Sequence, residues 1–263
     1  MHDEPVKAIV LAAGYATRLR PLTEAVAKAL LPLAGRPMLD YLCDKIDRVA
    51  EIDAVHVVSN ARFAPQFEEW AAARDGRLPV VVHDDGTTSN ETRLGAIGDI
   101  QFVVDRVRLE GEHLFVVAGD NLFDYDLTDY VAFWRSKVEA SVVAIHDVGE
   151  LDLARQYAVI ELDADDRVVS LVEKPSEPES TLAATATYVF HATHAAQVDT
   201  YLADGNPPDP IGLFPAWLYR RAPVYGYRFQ GDWLDIGDRE QLLEADNLMR
   251  DRAGLEQRAE YTL

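Results

Sequence analysis

Arg18, Arg20 and Lys28 stand close together in "VLAAGYATRLRPLTEAVAKALLPLAGRP", residues 10 to 37 of a 263-residue chain whose formal net charge is −20. Only 5 lysines accompany 20 arginines, so a lysine placed in such a stretch is informative. A solvated loop has no need of three cations, whereas an anionic ligand held at the end of a strand does. Directly ahead lie Ala12, Ala13, Gly14 and Thr17. Their small side chains let a ligand approach the backbone, and free N–H groups there can cradle phosphate oxygens. Arg18 and Lys28 would supply fixed charge to a phosphoryl group in transfer. The turn is neither GxGxxG nor GxxxxGK[ST], which argues against a dinucleotide-binding fold and a P-loop kinase.

The elements that must position these residues follow from the hydrophobic pattern. "KAIVLAA" (7–13) is a continuous apolar run ended by Gly14, the pattern of a strand buried on both faces. The spacing predicts helices over 37–50, after Pro65 within 63–75, and over 93–106, with strands over 54–60, 78–85 and 113–121. Strands alternating with helices predict an α/β fold, with a Rossmann-like, largely parallel mixed sheet flanked by helices. Ligands of such sheets bind beyond the carboxyl ends of the strands, where the cation-rich loop and the acidic tip "GDN" both fall. The second half changes character. "ASVVAIHDV", "YAVIELD", "RVVSLVEK" and "ATATYVFHA" follow with little helix between them and predict a β-rich, partly antiparallel subregion, closed by a helix over 239–252. With no internal repeat or low-complexity linker, residues 1–263 read as a single domain. Its nucleotide-binding half covers about 1–125 and its second-substrate half about 126–263.

Composition removes several classes. Against 25 basic residues there are 45 acidic ones, so neither a nucleic-acid binder nor a protein that docks on anionic membrane is expected. A small anionic substrate stays compatible, because local cations override the global field. The single cysteine, Cys43, allows no intrachain disulfide or cysteine metal cluster and reads as a core thiol. The seven histidines lack ligand spacing. An acidic N-terminus and the lack of a membrane-length apolar run predict a cytoplasmic protein.

The full string "LAAGYATRLRPLT…KALLPLAGRPML" resembles the signature of the sugar-1-phosphate nucleotidylyltransferases, and three further motifs follow in family order: "VVAGDNLF" (116–123), "LVEKP" (171–175) and "GDWLDIGDREQLLEA" (231–245). The likeness runs from Lys7 to about Leu248, and no left-handed β-helix extension follows. The resemblance implies that an NTP and a sugar 1-phosphate give an NDP-sugar and pyrophosphate, with Mg²⁺ as cofactor and a homo-oligomeric assembly. It also implies roles: Arg18 and Lys28 on the phosphates, Asp120 and Asp235 on Mg²⁺, Lys174 on the sugar phosphate and Glu173 on a sugar hydroxyl. Asn121, Tyr157, Ala158, Thr187 and Trp233 are placed at the sugar.

Departures from the family pattern set further expectations. Ala27 stands where a proline usually precedes the lysine, which predicts a looser loop. Ala158 and Thr187 stand where glycines are common, which places a Cβ at the sugar pocket. The base-reading segment is replaced by "DDGTTSNETRLGAIGDI", in which Asn90, Arg93 and Gly95 are the candidates for contacting base or ribose. Two alternatives stay open at this stage: the same chemistry on a cyclitol or alcohol phosphate, and a silent regulatory homologue that binds NDP-sugar.

Overall fold

Alternate residues of the first strand serve two different cores. In the computed structural model, which describes residues 6–263, β1 (Val6–Leu11) sends Val6, Ala8 and Val10 into one apolar cluster and Ile9 into the other. The first five residues, where the acidic N-terminus begins, lie outside the described residues. The first half adds β2 (Pro32–Leu33), β3 (Arg36–Pro37), β4 (Ile52–Ser59), β5 (Val80–Asp84), β6 (His113–Ala118) and β7 (Asn121–Phe123). The second adds β8 (Ser141–Asp147), β9 (Ala158–Leu162), β10 (Val168–Glu173), β11 (Leu182–Phe190), β12 (Val224–Arg228) and β13 (Trp233–Asp235).

Among the described residues nine strands make one sheet, running β10-β9-β11-β6-β1-β4-β5, with β8 paired to β11 and β12 paired to β8. β6, β1, β4 and β5 pair in parallel, as the continuous apolar runs require. β11 runs antiparallel to β6, β8 and β9, so the mixed character of the second half is present as expected. β6 repeats the alternation of β1, with Phe115 and Val117 on one face and Leu114 and Val116 on the other. The helices Met38–Ile46, Ala64–Ala73 and Ala96–Val107 lie where the periodicity places them, and the closing helix spans Arg239–Arg252. That helix is capped by Asp238, whose carboxylate accepts the Gln241 N–H at 3.0 Å, so Asp235 is not its cap.

A third apolar cluster holds Leu19, Leu31, Leu33, Met38, Leu122, Ile236, Leu242 and Tyr261. It gathers the loop after β1, the β2–β3 hairpin, β7, the residue after β13 and the closing helix into one body. Leu19 and Ile236 are fully buried there. Their chain neighbours Arg18 and Asp235 are thereby fixed at its edge. The fully buried Asp246 of the closing helix accepts the Ala34 N–H of the hairpin turn at 2.7 Å. Asp246→Ala leaves that donor without its partner and should lower the unfolding free energy by about 1–3 kcal/mol, whereas Asp246→Asn should cost less. Urea melts of the two variants check this.

Candidate active site

The loop after β1 is anchored at its start and open at its middle. Ala12 N–H donates to Val58 O at 2.9 Å, and Asn60 Nδ2 donates to Ala13 O at 2.9 Å. Tyr15 Oη pairs with Thr87 Oγ1 at 3.3 Å. Within the described residues the N–H groups of Gly14, Tyr15 and Ala16 take no partner, and a side chain at Gly14 would meet only open space. Ala16 adopts a left-handed conformation (φ 45°), which turns the chain into the short 3₁₀ turn Thr17–Leu19. A cavity opens over this loop, lined among others by Ala12, Gly14, Ala16, Arg18, Lys28 and Asp120. Ala13 is buried beneath it, and neither Ala13 nor Thr17 lines it.

Asp120 sits in the tight turn between β6 and β7, one residue beyond Gly119. A Cβ at Gly119 would lie 3.2 Å from Leu11 O and 3.3 Å from Val10 Cγ1, so glycine is what lets this turn close on β1. The Lys28 ammonium forms an ion pair with the Asp120 carboxylate, both side chains being largely sheltered. Asp235 arrives from more than a hundred residues away, through the antiparallel β13–β7 ladder that sets it opposite Asn121. Burial and then the nearby Asp120 charge push the Asp235 carboxyl up to about 6, against the opposing pull of Lys28, Arg18 and Lys174. The Arg18 guanidinium lies over Gly237, where a Cβ would come within 3.3 Å of Nη2.

A second cavity continues on the other side of Asp235. Its wall includes Asn121, Tyr157, Ala158, Glu173, Lys174 and Trp233, all six of which the sequence placed at the sugar or its phosphate. Trp233 Nε1–H donates to Asn121 Oδ1 at 3.1 Å, and the Tyr157 and Trp233 rings meet at 4.8 Å between centroids. The Asn121 amide donates in turn to Thr185 O. Lys174 turns into the site with φ 46°, its N–H donating to Tyr157 O at 3.0 Å. Burial raises the Glu173 carboxyl, with Lys174 pulling the other way. Glu173 packs on Gly212, where a Cβ would lie 2.0 Å from its Oε2.

Two expectations, on Thr187 and on Ala27, need correction. Thr187 is fully buried and absent from the cavity wall; its Oγ1 is within 3.4 Å of Thr185 O and of Asn121 Nδ2. The register of β11 shifts between Ala184 and Tyr188, and Ala186 takes φ 50°, so Ala186 faces the cavity instead. Asn90, Arg93 and Gly95 line neither cavity. Arg93 pairs with Asp209 at 3.0 Å and with Asn90 Oδ1 at 3.0 Å, because an acidic loop offers its guanidinium a nearer anion. A Cβ at Gly95 (φ 81°) would lie 2.7 Å from Pro208 O, so this glycine serves loop-to-loop packing. Ala27 does not loosen its loop: its buried N–H donates to Gln66 Oε1 at 3.0 Å. Gln156, Ala184, Thr185, Ala186, Tyr188, Pro210, Ile211 and Gly212 complete the second wall with Asp235, and none of these eight carried a chemical signal in the sequence.

The donor chemistry suits Mg²⁺. Two carboxylates, Asp120 and Asp235, lie close enough to sense each other's charge. A hard cation shared with ligand phosphates needs only one or two protein carboxylates. Among the described residues no group of three or more His, Cys, Asp or Glu side chains is placed to hold a metal alone. The raised Asp235 carboxyl also fixes a sign for stability. A carboxyl raised from 3.8 to about 6 favours the folded state below its ordinary value, and that contribution is lost as pH rises toward 6. Without divalent cation, Asp235→Asn should therefore raise the melting temperature at pH 7.5 and leave it nearly unchanged at pH 3.5. Thermal melts at the two pH values check this.

Comparison with known proteins places this arrangement. The chain is 27% identical over 242 residues to UTP–glucose-1-phosphate uridylyltransferase of Synechocystis, covering 88% of this chain and 60% of that protein. It is 29% identical over 244 residues to mannose-1-phosphate guanylyltransferase of Mycobacterium tuberculosis, covering 92% of this chain and 64% of the relative. It thus spans somewhat under two thirds of the length of these relatives. A Bacillus anthracis structure, assigned as a glucose-1-phosphate thymidylyltransferase and solved with sucrose, shares the fold with a TM-score of 0.73 at 22% identity, over 94% of this chain and 96% of that one. Residues 7–252 match the family described as nucleotidyl transferase, and the chain belongs to that family.

Proposed function

We propose that the protein transfers a nucleotidyl group from an NTP to a sugar 1-phosphate, releasing pyrophosphate and an NDP-sugar. One observation carries this reading. The cavity over the β1 loop ends on Asp120, the second cavity begins at Asp235, and Arg18, Lys28 and Lys174 all act on Asp235, with Lys28 also paired to Asp120. A site with two chambers and one charged junction suits a reaction between two phosphates. The relatives' names support the substrate class, one pairing UTP with glucose 1-phosphate and the other a guanylyl group with mannose 1-phosphate. They differ in base and sugar, so the class is as far as they reach.

In this reading the unpartnered N–H groups of Gly14 to Ala16 receive the triphosphate. A phosphate oxygen of the sugar phosphate attacks the α-phosphorus in line, and the bond to the β-phosphate oxygen breaks. The nucleophile is already anionic, so positioning and charge neutralisation matter more than a general base. Lys28 and Arg18 offset the charge that grows on the α- and β-phosphate oxygens. Lys174 holds the sugar phosphate, and Glu173 accepts from a sugar hydroxyl. Asp120 and Asp235 would hold Mg²⁺, which when bound supplies charge neutralisation to the phosphates. The methyl groups of Ala158 and Ala186 in the sugar wall favour a second reading of the acceptor alone, a phosphorylated cyclitol.

A screen of NTPs against sugar and cyclitol phosphates, following pyrophosphate release, tests the proposal. Turnover should appear with Mg²⁺ and vanish in excess chelator; full activity in the chelator would remove the two aspartates from the reaction. Lys28→Ala and Arg18→Ala should each lower turnover about 100-fold or more. Ala158→Gly and Ala186→Gly should shift the preference among acceptors and leave the NTP preference nearly unmoved, which paired kinetics with two NTPs would show.

A further inference from the structure

The lysine that meets Asp120 is carried by a segment with little regular structure of its own. After the single turn Leu22–Ala25, Val26 is extended and Ala27 takes φ −59°, ψ 138°, before the short 3₁₀ turn Lys28–Leu30. Three side-chain hydrogen bonds fasten Glu24 to Ala27, two from Gln66 in the first turn of the helix Ala64–Ala73 and one from Arg62 just ahead of it. Gln66 Nε2 donates to Ala25 O at 2.7 Å, Gln66 Oε1 accepts the Ala27 N–H at 3.0 Å, and the Arg62 guanidinium donates to Glu24 O. Ala27 is 1% exposed, so its N–H has no recourse to bulk water. Gln66 lines neither cavity.

A lysine side chain has four rotatable bonds, and its ammonium lands reproducibly only if its Cα is held. The peptide that carries the Ala27 N–H joins Val26 to Ala27 and stands one residue ahead of that Cα. A buried N–H that loses its acceptor drives its peptide to turn toward another partner or water, and such a turn would carry Lys28 with it. We infer that Gln66 is a positioning residue for Lys28, acting through the backbone of Ala25 and Ala27 without touching a substrate. This rests on the nucleotidyl-transfer reading of the site.

The backbone angles supply a specific test. Ala27 sits at the φ that proline fixes, and Val26 at φ −127°, ψ 135° sits in the region allowed before proline. Proline at 27 removes the N–H that needs Gln66 and stiffens the same conformation. Pyrophosphate release is measured with the active substrate pair for Gln66→Ala, Lys28→Ala, their double variant, and Ala27→Pro with and without Gln66→Ala. Gln66→Ala should lower kcat roughly 10-fold or more, a misplacement effect, with the KM for the acceptor little changed. In the Lys28→Ala background it should add less than about twofold, because the residue it acts through is gone. Ala27→Pro should restore most of the turnover lost in Gln66→Ala, and should cost turnover by itself, since its ring meets Gln66 Oε1.

Wild-type turnover in Gln66→Ala, an equal loss with and without Lys28, or an Ala27→Pro/Gln66→Ala variant that melts normally but stays slow would each overturn the inference. If Gln66→Ala fails to fold, Ala27→Pro/Gln66→Ala carries the test alone: folded and active supports it, folded and slow overturns it. A wild-type chain silent toward every NTP and phosphate acceptor would instead defeat the parent reading, an outcome seen before any variant is made.

Discussion

Two carboxylates held side by side are the constraint around which this structure is arranged. Asp120 and Asp235 repel, and the chain brings them together regardless, through a three-residue ladder between β7 and β13. Moving a carboxyl from 3.8 to about 6 corresponds to roughly 3 kcal/mol. That figure is mostly the cost of burial, with the Asp120 charge second, and already includes the opposing pull of Lys28, Arg18 and Lys174. The third apolar cluster lies against it. Burying one large aliphatic side chain contributes about 1.5–3 kcal/mol at most. Leu19, Leu122, Ile236 and Leu242 together are of a size to offset that cost.

The same arrangement draws on particular glycines and strained residues. Gly119 lets the aspartate turn approach β1, and Gly237 leaves room for the Arg18 guanidinium. Lys174 and Ala186 both take positive φ, a conformation that non-glycine residues adopt at a cost, and both face the second cavity. Arg108, Glu139 and Asp166 also take positive φ, in turns that line neither cavity.

Loops around the site are fastened by side chains rather than by regular structure. Asn60 holds the loop after β1, Gln66 and Arg62 hold the segment before Lys28, and Arg93 with Asp209 joins the two loops beside the second cavity. An acidic chain with many arginines can build such clasps cheaply, since carboxylates and carbonyls are never far away. Asn90 takes part in the same clasp, accepting from Arg93.

The sequence by itself determined the parallel strands, the amphipathic helices, the cation-bearing loop and most of the residues at the junction of the two cavities. These are legible because burial on two faces and helical spacing are local patterns, and because charged residues in short motifs keep their identity whatever surrounds them. Only the tertiary structure decided which neighbours of those motifs face the ligand. The register shift in β11 exchanges Thr187 for Ala186, and no local pattern marks a bulge of that kind. The partner of the Ala27 N–H lies on a helix 39 positions away, and the partner of Arg93 lies 116 positions away. Hydrogen bonds over such distances depend on how elements pack, and packing is the one thing that periodicity in a single chain does not encode.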